Sequence, residues 1–211
     1  GSASYLVTPA DRVRKINPAL GDSGTLFALA ATARHALAGF DARLPELIIG
    51  HGVLGRLLAR LTVVAGGEPP TVWEVDKNRM AGAQGYRVIH PDQDTKSDYQ
   101  SIYDASGCTG LLDQWIQRCG RGAEIVLAGF YSDRINFAFP HAFMREMKFR
   151  IAAEWSADDM TAINTLIDEG ILSLDGLVTH RAKAADAKQA YVQAFEDPTC
   201  YKMVLDWEAL N

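Results

Sequence analysis

The chain has 211 residues, of which 48% are hydrophobic and 22% are charged, and this fits one large domain with a buried core. Its 8 prolines and 18 glycines, without a repeat of fixed period, exclude a collagen-like or low-complexity chain. The net charge of −5 argues against a general nucleic-acid or membrane-surface role, because phosphate backbones and anionic lipids would repel the chain.

Strand and helix patterns alternate through the middle of the chain. The apolar run 45–49 ends in Gly50, as a buried strand would, and apolar residues at helical spacing follow over 53–64. The next predicted elements, in chain order, are strand 71–75, short helix 78–84, strand 87–89, polar loop 93–100, strand 101–106, helix 111–118, strand 124–130, short helix 140–147, strand 149–153 and helix 158–169. Because such alternation places helices on both faces of a parallel sheet, the sequence predicts an α/β fold with six doubly wound strands.

Two flanks lie outside this predicted sheet. A helix is predicted over 25–38, and a strand, a helix and a second strand are predicted around Leu177, 182–195 and 202–206. These flanks have too little apolar content to fold alone. The sequence therefore divides into an amino-terminal segment 1–24, a central domain 25–155 and a carboxy-terminal segment 156–211.

The sequence shows no targeting or metal-binding pattern. No apolar run approaches the roughly 20 residues of a membrane span, and the start lacks a secretion signal, with Gly1-Ser2 typical of a cloning remnant. Three cysteines without a C-x-x-C pair favour reduced thiols over a disulfide framework. The five histidines are scattered and form no metal motif. We expect a cytoplasmic protein that binds no metal.

A glycine-rich motif stands between the first predicted strand and its helix. Residues 50–55 read G-x-G-x-x-G in the strand–turn–helix context of a nucleotide site. Gly50 permits the tight turn, Gly52 lets the backbone approach a pyrophosphate, and Gly55 lets helix and strand pack closely. The start of the helix then supplies unpaired N–H groups and a favourable dipole to the phosphates.

His51, Val53 and Leu54 complete this phosphate turn. The pattern does not decide between contact of the His51 side chain with pyrophosphate and its exposure to solvent. A methyltransferase sheet also carries a Gly-rich first turn, but its usual third glycine would fall at Leu54. The sequence therefore favours a dinucleotide over a methyl donor.

Asp76 lies 21 positions beyond Gly55, at the predicted end of the second strand. An acid there accepts hydrogen bonds from a ribose diol and repels the extra phosphate of NADP, so the spacing predicts a Rossmann sheet that binds NAD. Lys77 and Arg79 just beyond would soften that preference. The alternative is a tight turn without a ligand, in which Asp76 only caps the next helix.

Other polar residues carry weaker signals. Ser106 lies at the predicted end of the fourth strand, where ligands gather in open α/β sheets, so it either lines the cofactor crevice or forms a turn. His35 on an apolar helix is expected to be a satisfied, half-buried residue rather than a proton relay. An aromatic group is expected in the core or at a subunit interface, and its members are Phe137, Phe139, Phe143 and Phe149.

Several stretches resemble the medium-chain dehydrogenase family. Residues 6–13 resemble the last strand of that family's substrate domain, and 32–37 the helix that leads into its cofactor domain. The family's second, fourth and fifth strands are matched by 74–76, 103–107 and 127–130. The resemblance covers nearly the whole chain and implies that Thr32, Ala128 and Gly129 face a nicotinamide.

Three stretches, 49–57, 139–143 and 201–207, resemble one branch of this family more narrowly. That branch implies NAD-dependent oxidation of the 3-(1-hydroxyethyl) group of a chlorin or bacteriochlorin to 3-acetyl in bacteriochlorophyll biosynthesis. The expected partners are a small tetrapyrrole substrate and a second copy of the chain.

The family's substrate domain is represented only by remnants at the two ends of this chain. The resemblance therefore implies little or no turnover by these 211 residues alone, and it identifies no catalytic residue. Two alternatives stay open, an NAD-binding module without chemistry of its own and a different alcohol dehydrogenase of the family.

Overall fold

A computed structural model describes residues 3, 5–10, 13–38 and 42–208. Its main elements are α1 Phe27–Leu37, β1 Leu47–Ile49, α2 Val53–Val64, β2 Thr71–Trp73, β3 Arg87–Ile89, β4 Tyr99–Asp104, α3 Leu112–Arg118, β5 Cys119–Leu127, α4 Phe139–Met144, β6 Lys148–Ile151, α5 Ala157–Asp168, β7 His180–Lys183, α6 Ala187–Glu196 and β8 Met203–Asp206. Short 3-10 turns add Pro18–Leu26, Lys77–Arg79, Pro91–Gln93 and Ala184–Asp186.

Six strands form one parallel sheet in the order β3-β2-β1-β4-β5-β6. The chain runs outward from β1 to β3 on one side and from β4 to β6 on the other. The strand order therefore reverses between β1 and β4, where ligands bind in open α/β sheets. The α/β prediction with six doubly wound strands is confirmed.

Alternate residues of each strand enter opposite cores, because successive side chains point to opposite faces of a sheet. Ile48 and Val126 lie in the core under α1, α2 and α5. Leu47 and Ile125 lie in the second core, which α3 and α4 cover. Both sheet faces are thus buried, as the apolar run 45–49 predicts for β1.

Some element bounds differ from the predictions. The fourth strand starts at Tyr99 rather than 101, and the fifth runs over Cys119–Leu127 rather than 124–130. The predicted helix 78–84 is only the 3-10 turn Lys77–Arg79, because Gly82 and Gly85 both take positive φ values of 83° and 78°. A left-handed backbone ends a helix, so the chain turns here instead.

The flanks also differ from the sequence predictions. The predicted strand around Leu177 is wrong, since Leu177 is buried in the first core and the strand follows at His180–Lys183. Within the stretch 6–13, which resembles a strand of the substrate domain, residues 6–9 form no strand, and Leu6 and Val7 are exposed. A strand needs a hydrogen-bonding neighbour, and within the described residues β7 and β8 pair only with each other.

Two predictions fall partly on residues that the structure does not describe. The cloning remnant Gly1-Ser2 lies outside the described residues, and so do positions 11 and 12 of the predicted strand. Within the described part of the chain, no helix is both long and apolar enough to span a bilayer.

An ionic cluster joins α1 to the start of α5. Asp159 is 2% exposed and accepts hydrogen bonds from Arg34, from His35 Nδ1 at 2.8 Å and from the Ser156 hydroxyl at 2.7 Å. Burial raises the pKa of Asp159, but the hydrogen bonds from Ser156, His35 and Arg34 outweigh it and hold the pKa at about 2. His35 is therefore a satisfied, half-buried residue, as the sequence predicts.

Replacing Asp159 with asparagine should lower the free energy of unfolding at pH 7 by about 2 kcal/mol, because Arg34 and His35 lose a charged partner. The lowered pKa stabilises the fold above pH 3.8, and this contribution is lost as the pH falls toward about 2. Urea unfolding at pH 7 measures the change. The exposed neighbour Asp158→Asn is the control and should change stability little; equal losses in both variants would contradict the assignment.

Candidate functional site

The phosphate turn connects β1 to α2 at the point where the strand order reverses. Gly50 has φ of 93°, and its N–H donates to the Trp73 carbonyl oxygen at 2.9 Å. A Cβ atom at Gly55 would lie 1.9 Å from the Gly50 carbonyl oxygen, so this position excludes any side chain. The fold itself therefore requires Gly50 and Gly55, as the motif predicts.

Gly52 differs from these two glycines because the fold does not require it. A Cβ atom here would meet nothing within 4 Å, and φ is an ordinary −74°. Gly52 is also the N-cap of α2 and gives the helix no side-chain capping bond. The first amides of Val53 and Leu54 therefore border open space at a helix amino terminus, where an anion is stabilised.

Asp76 lies at the end of β2, half-buried, beside the phosphate turn. Its Oδ1 accepts a hydrogen bond from the Asn78 N–H at 2.9 Å and so caps the 3-10 turn that begins at Lys77. Asp76 therefore does cap this turn, as the alternative predicts, but the capping bond does not exclude hydrogen bonds from a cofactor ribose to the same carboxylate. A carboxylate offers about four lone-pair sites, and one capping bond uses only one of them.

The His51 side chain points neither to solvent nor into the open space, although the sequence left only those two options. It is fully buried, with Nδ1 2.6 Å from the Arg79 carbonyl oxygen and Nε2 2.8 Å from the Tyr86 hydroxyl. The carbonyl can only accept, so Nδ1 carries the proton and Tyr86 donates to Nε2. Burial, together with the charges of Arg56 and Arg60, lowers the pKa of His51 to about 4.

Arg56 follows the last glycine and turns inward from α2, where it is 2% exposed. Its guanidinium donates to the carbonyl oxygens of His51, Arg79, Ala81 and Gly82 and to the Tyr201 hydroxyl, and these contacts span 2.7–3.2 Å. It also lies 4.2 Å from the centre of the Tyr201 ring. Through these hydrogen bonds Arg56 connects the loop after β2 and the carboxy-terminal segment to the phosphate turn.

Glu74 is a second buried residue of this site that the sequence does not predict. Its Oε2 accepts the His51 N–H at 2.9 Å, and its Oε1 accepts the N–H groups of Val75 and Asp76 at 2.8 and 2.9 Å. Only two weak signals in the sequence point to these residues: Glu74 is an acid inside a predicted strand, and Arg56 is an arginine on an otherwise apolar helix. Neither signal identifies the more distant partners, because His51 lies 23 positions from Glu74 and Tyr201 lies 145 positions from Arg56.

Ser106 lies past the end of β4, as predicted, but its hydroxyl is committed to a turn. It donates to Asp104 Oδ1 at 2.6 Å and accepts the Cys108 N–H at 3.1 Å. The buried Asp104 also accepts a hydrogen bond from the Tyr131 hydroxyl. Burial raises the pKa of Asp104 despite these hydrogen bonds, and burial beside Asp104 raises that of Tyr131.

The ends of β4 and β5 meet closely beside the phosphate turn. The N–H groups of Ala128 and Gly129 both donate to the Asp104 carbonyl oxygen at 2.9 Å. A Cβ atom at Gly129 would lie 2.8 Å from the Gly107 nitrogen, so only glycine fits. Thr32 is half-buried on α1, and its hydroxyl donates to the Ala28 carbonyl oxygen at 3.0 Å. A nicotinamide contact by these residues stays a prediction.

The aromatic group lies away from the phosphate turn. A cavity of about 510 Å³ is lined by Phe137, Phe139, Phe143 and Phe149 together with Arg121 near the start of β5. Phe137 and Phe149 stack with ring centres 5.0 Å apart. The turn is at the carboxyl ends of the strands, whereas this cavity borders the beginnings of β5 and β6. The group therefore does not face the crevice.

A parallel sheet in this order, with a glycine turn at its reversal point and an acid after β2, defines the dinucleotide-binding class of Rossmann domains. A solved short chain alcohol dehydrogenase from E. coli CFT073, complexed with NADH, matches the fold with a TM-score of 0.80 at 18% identity. The match covers 95% of this chain and 64% of that one. No protein-family profile matches the chain.

Two curated relatives share much more of the sequence. The 2-desacetyl-2-hydroxyethyl bacteriochlorophyllide A dehydrogenase of Rhodobacter capsulatus is 59% identical over 208 residues, which are 99% of this chain and 66% of that protein. Its counterpart in Cereibacter sphaeroides is 57% identical over 204 residues, 97% of this chain and 64% of that protein. The chain belongs to the medium-chain dehydrogenase family and spans somewhat less than two thirds of these relatives.

Proposed function

We propose that the chain binds NAD along residues 50–55 as the cofactor domain of an alcohol-oxidising enzyme. The observation that carries this proposal is the open space at Gly52, beside the uncapped start of α2 and at the reversal of strand order. A side chain there would be tolerated by the fold, so glycine is explained by a ligand whose phosphates approach the backbone. The NADH complex of the fold relative supports the nicotinamide class.

The residues divide the proposed site into two ends. The amides of Val53 and Leu54 would bind the pyrophosphate, and Asp76, with Lys77 beside it, would bind the adenine ribose. Ala128, Gly129, Ser106 and Thr32 would line the nicotinamide end. When bound, the nicotinamide accepts a hydride from the carbon that carries the hydroxyl group.

The proposed substrate is a bacteriochlorophyllide that carries a hydroxyethyl group, which the enzyme converts to an acetyl group. The support is the 57–59% identity to dehydrogenases named for this compound. The test follows the red-most absorption band of the pigment with and without NAD, for the 211-residue chain and for a chain with the full length of the relatives. NAD-dependent change with the longer chain supports the substrate; no change with either chain rejects it.

Replacing Asp76 with alanine should weaken NAD binding by about 1 to 3 kcal/mol, because the ribose hydroxyls lose a charged hydrogen-bond acceptor. The preference for NAD over NADP should narrow in the same variant, since the repulsion of a 2′-phosphate is removed. Calorimetric titration with both cofactors measures each change. The control is Asp92→Ala, which removes an exposed acid after β3 at the same edge of the sheet and should leave NAD binding unchanged. Equal affinities of the wild-type protein for NAD and NADP would exclude the proposed role of Asp76 at the ribose.

We propose further that residues 25–155 form the dinucleotide-binding domain, that 1–24 are a residual segment of the substrate domain, and that 156–211 return toward that substrate domain. A second copy of the chain would cover the edge strand β6, where Phe149 and Ile151 are partly or largely exposed beside the aromatic cavity. The three free cysteines support a cytoplasmic location.

A further inference from the structure

Glu74 connects the two halves of the adenosine end of the proposed site. Its side chain lies beneath the phosphate turn and is 7% exposed. One oxygen accepts from the turn after β1, at the His51 N–H, and the other accepts from the chain after β2, at the N–H groups of Val75 and Asp76. A single carboxylate therefore fixes the turn and the backbone of the ribose acid relative to each other.

We propose that Glu74 is a positioning residue for the dinucleotide and acts through the backbone. No atom lies within 4 Å of a Cβ at Gly52, so the carboxylate does not fill the space proposed for the pyrophosphate. The Glu74 carboxylate accepts the hydrogen bond of the His51 N–H on the inner side of the turn. The amides of Val53 and Leu54 then stay available to the ligand. This inference rests on the proposed binding of NAD.

The hydrogen-bond pattern requires a carboxylate rather than an amide. Three N–H donors face Glu74, one at Oε2 and two at Oε1. Glutamine has one acceptor oxygen and an NH₂ group, so one side of it must point a donor at a donor. The glutamine oxygen would accept two hydrogen bonds if it faced Val75 and Asp76 but only one if it faced His51, so we expect it to face Val75 and Asp76. The NH₂ group then faces the His51 N–H, and the phosphate turn loses its support while the ribose acid keeps its own.

This asymmetry gives a test that a merely structural role would not pass. NAD affinity should fall about tenfold or more in Glu74→Gln, which is the usual effect of leaving a buried donor unsatisfied. Adenosine has the ribose but no pyrophosphate, so its affinity should stay within about threefold. Calorimetry measures NAD and an NMR titration measures adenosine, with circular dichroism to establish that the variant is folded.

Glu68→Gln is the matched control, because it makes the same charge change on an exposed residue before the start of β2. It should leave both affinities unchanged. A second measurement needs no variant: hydrogen exchange of the His51 amide in the wild-type protein should slow when NAD is added and should not respond to adenosine. This measurement decides the matter if Glu74→Gln does not fold.

The outcomes separate the two proposals. A wild-type protein that binds no NAD overturns the proposed function itself. If the wild type binds NAD, then an unchanged NAD affinity in a folded Glu74→Gln variant, or equal losses for NAD and adenosine, overturns the role of Glu74 alone. Exchange at His51 that responds equally to both ligands has the same meaning.

Discussion

Replacing Gly52 with valine should abolish NAD binding, with a loss of more than about 100-fold, while the fold persists. The isopropyl group would enter the space above the phosphate turn, where the ligand's pyrophosphate must approach the backbone. The fold should tolerate it because a Cβ atom at this position meets nothing within 4 Å and φ is −74°. Calorimetry with NAD measures the loss, and circular dichroism and thermal unfolding measure the fold.

Two other glycines make this experiment interpretable. Gly110→Val is the matched control, since Gly110 is also exposed to open space without a positive φ, and it should bind NAD normally. Gly55→Val should instead destabilise the protein, because its Cβ would lie 1.9 Å from the Gly50 carbonyl oxygen. Normal NAD affinity in a folded Gly52→Val variant would mean that the turn serves only the fold.

Acidification should destabilise the protein by about 3 kcal/mol through His51 alone as the pH falls from 6.5 to about 4. The unfolded histidine takes up a proton near pH 6.5, whereas burial and two nearby arginines keep the folded side chain neutral until about pH 4. The unfolded state therefore binds more protons in this window, and stability rises with pH. This contribution is fully present only above pH 6.5.

Urea unfolding at several pH values between 7.5 and 4 measures this effect. In His51→Gln the slope of unfolding free energy against pH should be shallower across that window, although the variant is less stable at pH 7. The exposed His141→Gln should keep the wild-type slope. If the slopes of wild type and His51→Gln coincide, His51 is not the group that titrates.

The overall fold could be predicted because its signals are local. Apolar runs that end in glycine, and helix-spaced apolar residues after them, identify β1 and α2 without knowledge of distant partners. The start of β4 cannot be predicted, for the opposite reason. The sequence predicts a polar loop at Tyr99, but Tyr99 is buried in the structure, where its hydroxyl donates at 2.6 Å to Asp94, which also accepts from Trp73 at 2.6 Å. That pairing joins different elements and leaves no periodic pattern.

The motif predicts the three glycines of the candidate site because a tight turn and a closely bound ligand leave no room for side chains. The fold requires glycine at Gly50 and Gly55, whereas the role of Gly52 toward a ligand stays a prediction. The supporting side chains could not be predicted, because Glu74 contacts a residue 23 positions away and Arg56 contacts one 145 positions away. His51 shows the limit clearly: its place in the motif is visible in the sequence, but the direction of its side chain depends on Arg79 and Tyr86.

The contact of Arg56 with Tyr201 has a consequence for synthesis on the ribosome. The phosphate turn is made early, but Tyr201, whose hydroxyl accepts a hydrogen bond from Arg56 beneath that turn, is translated 145 residues after Arg56. Arg79 likewise waits for the Pro198 carbonyl, 119 positions later. Such long-range contacts close slowly and late. A nascent chain therefore lacks this support beneath the phosphate turn until Tyr201 has been translated, and a stop codon just before Tyr201 would remove the support without changing the motif.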